Sequence, residues 1–122
     1  MAIRINNDPK AAVKGAWGNV DLTALRNRLA RAVEEGEAGA REAVRECYAV
    51  VEGWDAPSQQ WKYPHHVLRG DELVLHVGGV QAATQRARQQ GETRALRHLA
   101  RHARALVRAG LVESSVLVEE DE

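Results

Sequence analysis

Residues 92–110, Glu-Thr-Arg-Ala-Leu-Arg-His-Leu-Ala-Arg-His-Ala-Arg-Ala-Leu-Val-Arg-Ala-Gly, carry the clearest periodic pattern in the chain. Projected on a helix, they separate into three stripes. The first stripe is apolar and comprises Leu96, Leu99, Ala103, Leu106 and Val107. The second is basic and comprises Arg94, Arg97, Arg101, Arg104 and Arg108. The third sets two histidines among small residues, which favours close packing of another segment: Ala95, His98, His102, Ala105 and Ala109.

Two earlier segments also show helical spacing. Asp21 is a suitable helix N-cap, and apolar residues follow it at helical intervals: Leu22, Leu25, Leu29 and Val33. Gly36 and Gly39 interrupt this pattern. Residues 40–51 then show a second amphipathic helix, with one apolar face formed by Val44, Cys47, Tyr48 and Val51. We therefore predict an antiparallel helical hairpin.

The middle of the chain combines a loop with a short β-hairpin. Residues 53–64 are predicted to form a loop. Trp54 and Trp61 are expected to pack this loop against the rest of the domain, since large aromatic side chains seldom remain exposed without a partner. Residues 67–68 and 73–76 are rich in strand-forming side chains and flank a turn at Gly70-Asp71, which predicts a hairpin. Gly78-Gly79 precede a third helix over residues 80–90, and residues 92–110 form the fourth.

These elements predict a mainly α (α+β) fold: a helical hairpin, a Trp/His loop with a short β-hairpin, and two C-terminal helices. We assign residues 1–20 to an N-terminal arm, in which Ile3-Arg4-Ile5 form an edge strand or a loose segment. Residues 21–110 form a single helical domain, and residues 54–107 within it form a Trp/His module. Residues 111–122 form an acidic C-terminal tail, with a short strand expected at 116–118. A chain of 122 residues is long enough for one core but not for two.

All five histidines lie between residues 61 and 106, so any specific chemistry is expected there. His98 and His102 are four residues apart on a helix, so both rings can point to one spot, as a metal pair requires. A third ligand would come from His65, His66 or His76. We therefore take as candidate metal ligands, with zinc as the ion, the set His98, His102, His66 and His65.

An alternative without metal remains open and is the one that the sequence favours. In it, the histidines are neutral and bond to backbone carbonyls or to Asp55, within a structural core that includes Trp54, Trp61 and Tyr63. The segment from His98 to His102 lacks the Glu that follows the first histidine in zinc proteases, and few acids lie nearby. No general base is therefore evident.

The remaining composition excludes several classes of protein. Cys47 is the only cysteine, which excludes an internal disulfide, and its place on a core face is typical of an inert thiol. The serines lie in no nucleophile-elbow context. We assign no catalytic and no cofactor-binding residue, and we expect a protein that is not an enzyme; a metal-dependent enzyme built on the histidines is the alternative. With neither a signal peptide nor a long apolar run, we expect no membrane partner and a cytoplasmic location.

The basic stripe is a candidate interaction surface. Residues 54–110 contain nine Lys and Arg against four Asp and Glu, although the whole chain has no net charge. Five guanidinium groups on one helix face could contact nucleic-acid phosphates. The zero net charge and the absence of interleaved aromatic residues make this the weaker alternative, and the acidic tail, in cis or from another copy, could cover the same stripe. We expect a protein partner, which a second copy of this chain would satisfy.

Four short motifs together resemble a small domain of tailed-phage and prophage proteins that is attached to, or encoded near, head-maturation proteases and capsid proteins. The motifs are Trp-Lys-Tyr-Pro-His-His at 61–66, Gly-Asp-Glu-Leu-Val-Leu at 70–75, Gly-Val-Gln-Ala-Ala at 79–83 and Arg-His-Leu-Ala-Arg-His at 97–102. The resemblance covers roughly residues 54–107. It implies a non-enzymatic structural or protein-interaction module in head morphogenesis, with capsid or head proteins as partners and the bacterial cytoplasm or the virion as location. It transfers no catalytic residue.

Overall fold

The computed structural model describes residues 2–113 and shows, within that range, five α-helices and two small β-sheets. The helices are Leu22–Glu34 (α1), Ala40–Cys47 (α2), Pro57–Gln60 (α3), Val77–Gln90 (α4) and Thr93–Arg108 (α5). The strands are Arg4–Asn6 (β1), Tyr48–Val51 (β2), Trp61–Pro64 (β3), His66–Arg69 (β4) and Glu72–Leu75 (β5). The α+β class is confirmed. The strand predicted at 116–118 and the acids at 119–122 lie outside the described residues.

The predicted β-hairpin is present and supplies two strands of the first sheet, with β5 at its centre and β4 at one edge. Strands β4 and β5 pair antiparallel, and Gly70 turns between them with a φ of +64°, a conformation that favours glycine. Strand β1 pairs with β5 in parallel, so the segment predicted as an arm contributes an edge strand to this sheet. Three consecutive residues of the central strand are fully buried: Leu73, Val74 and Leu75.

The second sheet was not predicted from the sequence. The helix expected over residues 40–51 ends at Cys47, and Tyr48–Val51 form β2. This strand pairs antiparallel with β3, so the last four residues of the expected Trp/His loop are also a strand, and Pro57–Gln60 form a helical turn. The physical reason is pairing between distant segments: each aromatic and β-branched run satisfies its backbone groups on the other.

The predicted helices pack into the core through most of the expected faces: Leu25 and Leu29 of α1 are buried, whereas Leu22 at its start is exposed. The Asp21 side chain accepts a hydrogen bond from the backbone N–H of Ala24 at 2.9 Å, as an N-cap should. Helix α1 packs against α2, and α4 packs against α5 across a turn at Gly91. The apolar stripe of α5 buries Leu99, Ala103 and Leu106 completely. Among the described residues, no helix combines the length and the apolar character that a membrane crossing requires.

Candidate metal centre

Four histidine side chains from two distant parts of the chain meet in the protein interior. His65 and His66 lie at the junction between β3 and β4, and His98 and His102 lie one turn apart on α5. The ring centroids of His65 and His98 are 5.0 Å apart, and those of His66 and His102 are 5.3 Å apart. His65, His66 and His102 are at most 3% exposed, and His98 is half-buried. The structure therefore brings together the four histidines selected from the sequence.

Acceptors outside the cluster fix the tautomers of His65 and His66. Nδ1–H of His65 donates to the backbone carbonyl of Tyr63 at 2.9 Å. Nε2–H of His66 donates to the side-chain oxygen of Asn7 at 2.8 Å. Each neutral ring consequently carries its lone pair on the other nitrogen, which is Nε2 in His65 and Nδ1 in His66. An acceptor behind one nitrogen is the arrangement that orients metal-ligating histidines.

The two histidines of α5 turn Nε2 toward this pair and toward α2. Nε2 of His98 lies 3.2 Å from Nε2 of His65 and 3.1 Å from the backbone carbonyl of Glu46. Nε2 of His102 lies 3.0 Å from Oε2 of Glu46. Without an ion, these two Nε2 atoms donate protons to the oxygens of Glu46. An ion bound to the same atoms would replace those protons.

Glu46 is a central residue of the cluster that the sequence analysis missed. Its Oε2 also accepts hydrogen bonds from the side chains of Asn7, at 3.2 Å, and Arg101. One signal could have revealed it: an acid in the last turn of a helix faces the negative end of the helix dipole, where basic residues are preferred. That signal was hidden because α2 was expected to continue to residue 51, which would place Glu46 in mid-helix.

At neutral pH the electrostatics of the cluster favour uncharged rings at His65, His66 and His98 and an ionised carboxylate at Glu46. Burial, and then the neighbouring histidines, lower the pKa of His65 and His66 well below the ordinary value. Burial also lowers the pKa of His98. The hydrogen bond from His102 is the largest cause, and Arg101 a further one, that lowers the pKa of Glu46 to about 2.

The cluster contains two overlapping sets of potential metal ligands. His65, His98 and His102 each offer a ligand atom, and these three atoms lie within 4.8 Å of one another. Glu46, His66 and His102 form a second set that meets the same distance limit. Neutral imidazole and carboxylate are common protein ligands of transition metals. This buried His/Glu cluster can therefore hold a metal ion.

His76, the remaining histidine considered as a third ligand, has a different role. It is the N-cap of α4, where its Nδ1 accepts a hydrogen bond from the backbone N–H of Gly79 at 3.1 Å. Its ring meets Trp17 edge to face, with centroids 4.9 Å apart. Burial lowers the pKa of His76, which favours the neutral form that a cap acceptor requires.

The aromatic residues grouped with the histidines lie in two separate places. Trp54 and Trp61 contact each other edge to face at 6.0 Å and pack beside Tyr48. Tyr63 lines a cleft of about 840 Å³ that faces α4, and its hydroxyl donates to the side chain of Gln90. None of the histidines lines this cleft. The backbone carbonyl of Tyr63 is what connects this residue to the cluster.

The arginines of α5 are exposed along one side of the helix, and Arg94 and Arg101 pair with nearby acids. Arg94 contacts Glu92 at 3.2 Å and Glu52 at 3.5 Å, and Arg101 pairs with Glu46. These contacts reduce the basic character that the sequence alone indicated for the stripe. They also connect the stripe to the histidine cluster through Arg101.

No family model, no curated protein and no solved structure matches this chain. The resemblance to phage head proteins therefore stays a prediction, and the geometry of the cluster is the observation from which function can be argued.

Proposed function

We propose that this protein binds a divalent transition-metal ion, zinc first, through His65, His98 and His102. The observation that carries the proposal is the convergence within 4.8 Å of three ligand atoms from two distant parts of the chain, the β3–β4 junction and α5. A Zn–N distance of about 2.0–2.1 Å and tetrahedral angles place two ligand nitrogens roughly 3.3 Å apart. The Nε2 atoms of His65 and His98 are 3.2 Å apart, so their spacing suits one shared ion.

The protonation state of the cluster supports this proposal. A histidine must be neutral to bind a metal, so proton competition weakens most sites as the pH falls. Because burial lowers the pKa of His65 and His98, both rings are already neutral at pH 7. The carboxylate of Glu46, beside His102, offsets part of the charge that a divalent ion brings into the interior.

The closed surroundings favour a structural role for the ion over a catalytic one. Catalytic zinc keeps an open coordination position that substrate can reach. Here His65 and His102 are at most 3% exposed. We therefore propose that the ion fastens α5 to the β3–β4 junction in a non-enzymatic protein. The resemblance alone supports the wider role of that protein as a phage-type interaction module.

The experiment is a measurement of the metal content of the full chain, purified without an affinity tag or chelator. We expect about one ion per chain, lost in His98→Ala and in His102→Ala. The matched control is His76→Asn, which removes an imidazole outside the cluster and keeps a good N-cap residue. An apo protein that takes up no ion after incubation with zinc, or a His98→Ala variant with unchanged metal content, would contradict the proposal.

A further inference from the structure

A second ion position lies beside the three-histidine site. Its ligand atoms come from Glu46 on α2, His66 at the start of β4 and His102 on α5. Only His102 belongs to both sets, and His66 is absent from the first. The two sets therefore describe two different places for an ion.

One buried atom of this cluster, Nδ1 of His66, has no hydrogen-bond partner among the described residues. Because Asn7 accepts the proton of Nε2, Nδ1 is the atom with the lone pair. A buried polar atom without a partner is energetically unfavourable. An ion coordinated through Nδ1 would supply the missing partner.

The two sets of ligands differ in chemistry. The first is three imidazoles, which suit zinc, copper or nickel. The second is two imidazoles and one carboxylate, a donor set that binds Fe²⁺ in many proteins and that suits ions with a stronger preference for oxygen. The Glu46 side chain is 17% exposed, so solvent also reaches the second position.

We propose that Glu46, His66 and His102 form a second ion position, which binds Mn²⁺ or Fe²⁺ more strongly than the three-histidine position does. Both sets include His102, which offers one ligand atom to each, so a chain holds one ion at a time and the two classes of ion compete. An ion bound to Nε2 of His102 would take the place of the proton that this atom donates to Glu46, and the metal-bound ring would carry its proton on Nδ1. This inference rests on the proposed function, because the two positions share His102.

The experiment measures the affinity of the full-length chain for two ions in parallel. Mn²⁺ is followed by the loss of the free-ion EPR signal, and Zn²⁺ by competition with a chromophoric chelator. Glu46→Gln should weaken Mn²⁺ binding by at least about tenfold more than it weakens Zn²⁺ binding, because the carboxylate is a ligand only in the second position and a neighbouring charge in the first. His98→Gln should weaken Zn²⁺ binding more than Mn²⁺ binding. The glutamine amide can still donate a hydrogen bond to the carbonyl of Glu46, so the fold around the site should be retained. The control is Glu42→Gln, an exposed acid one turn earlier on α2.

Two further measurements keep the test decisive. Circular dichroism and thermal melts check that each variant folds. If Glu46→Gln does not fold, His66→Gln replaces it, because the glutamine amide can retain the bond to Asn7 while Nδ1 is lost. Equal weakening of both ions by both variants would mean one position and would overturn this inference, as would zinc binding without any Mn²⁺ binding. A chain that binds neither ion would overturn the proposed function as well.

Discussion

His98→Ala should cost far more stability in the presence of zinc than in its absence. In EDTA the variant loses the hydrogen bond to the carbonyl of Glu46, which contributes about 1 kcal/mol, and part of a half-buried ring. Zinc at 100 times its dissociation constant stabilises the wild-type chain by about 2.7 kcal/mol. If losing one of three ligands weakens binding about a hundredfold, the same zinc stabilises the variant by only ~0.4 kcal/mol. The difference in the free energy of unfolding should therefore widen by about 2.3 kcal/mol.

The assay is urea unfolding of both proteins in EDTA and in excess zinc, followed by circular dichroism. Equal m-values in all four experiments would show that the midpoints report stability and not a change in the unfolded state. His76→Asn, measured in the same way, should show the same difference from wild type with and without zinc. A His98→Ala difference that stays the same in EDTA and in zinc would refute the reasoning, because His98 would then take no part in binding.

Three further predictions concern the metal-free chain and the fold around the site. The unfolded chain binds more protons than the folded one below the ordinary histidine pKa of 6.5, because the folded-state pKa is lowered in His65, His66 and His98. Urea midpoints in EDTA should therefore be highest above about pH 7 and fall as the pH is lowered toward 5. Midpoints that do not change with pH would contradict the lowered folded-state pKa values. Gly79→Ala would bring a Cβ within 2.7 Å of the Trp17 ring and should destabilise the fold by about 1–3 kcal/mol without changing zinc stoichiometry, as melts and metal analysis would report. Asp21→Ala removes the cap on Ala24 and should cost about 1 kcal/mol in the same melts, whereas Asp21→Asn should cost much less.

The elements that could be predicted from the sequence are those whose pattern lies within a short stretch of neighbouring residues. Helix α5 was recognisable because its apolar stripe repeats over four turns, and the β4–β5 hairpin because Gly70 lies between two strand-like runs. Strand β2 was not recognisable, because residues 40–51 keep an apolar face at helical spacing throughout. Its conformation depends on pairing with β3, ten or more residues away, and local propensity contains no information on that pairing.

The histidine cluster likewise contains residues that local sequence predicts and residues that it does not. His98 and His102 share a helix face, so their approach to one point follows from their spacing alone. His76 is closer to His98 in sequence than His65 and His66 are, yet its position immediately before α4 makes it an N-cap instead of a member of the cluster. The contribution of Glu46 was not predicted, because it depends on where α2 ends and on the contacts between Glu46 and α5. The histidine cluster was therefore predictable as a group of residue types, and its acidic member only from the three-dimensional structure.

The meeting of His65 and His66 requires a particular break in the backbone. Neighbouring residues of a regular strand point to opposite faces of the sheet, which would separate the two rings. Here β3 ends at Pro64 in one sheet and β4 begins at His66 in the other, and the two ring centroids are 4.6 Å apart. Tyr63, just before this break, has a φ of +64°, a conformation that costs a residue with a side chain about 1–3 kcal/mol.

That strained residue is also the one whose carbonyl accepts the proton of His65 Nδ1. Relaxing the backbone at Tyr63 would move this carbonyl, and Nε2 of His65 would no longer be held as the atom with the lone pair facing His98. Such strain persists where the surrounding structure imposes it, and it concentrates at functional sites. The fold thus maintains an unfavourable conformation at the one residue that sets both the path of the chain and the tautomer of the most buried ligand. This coincidence supports the proposal of a metal centre.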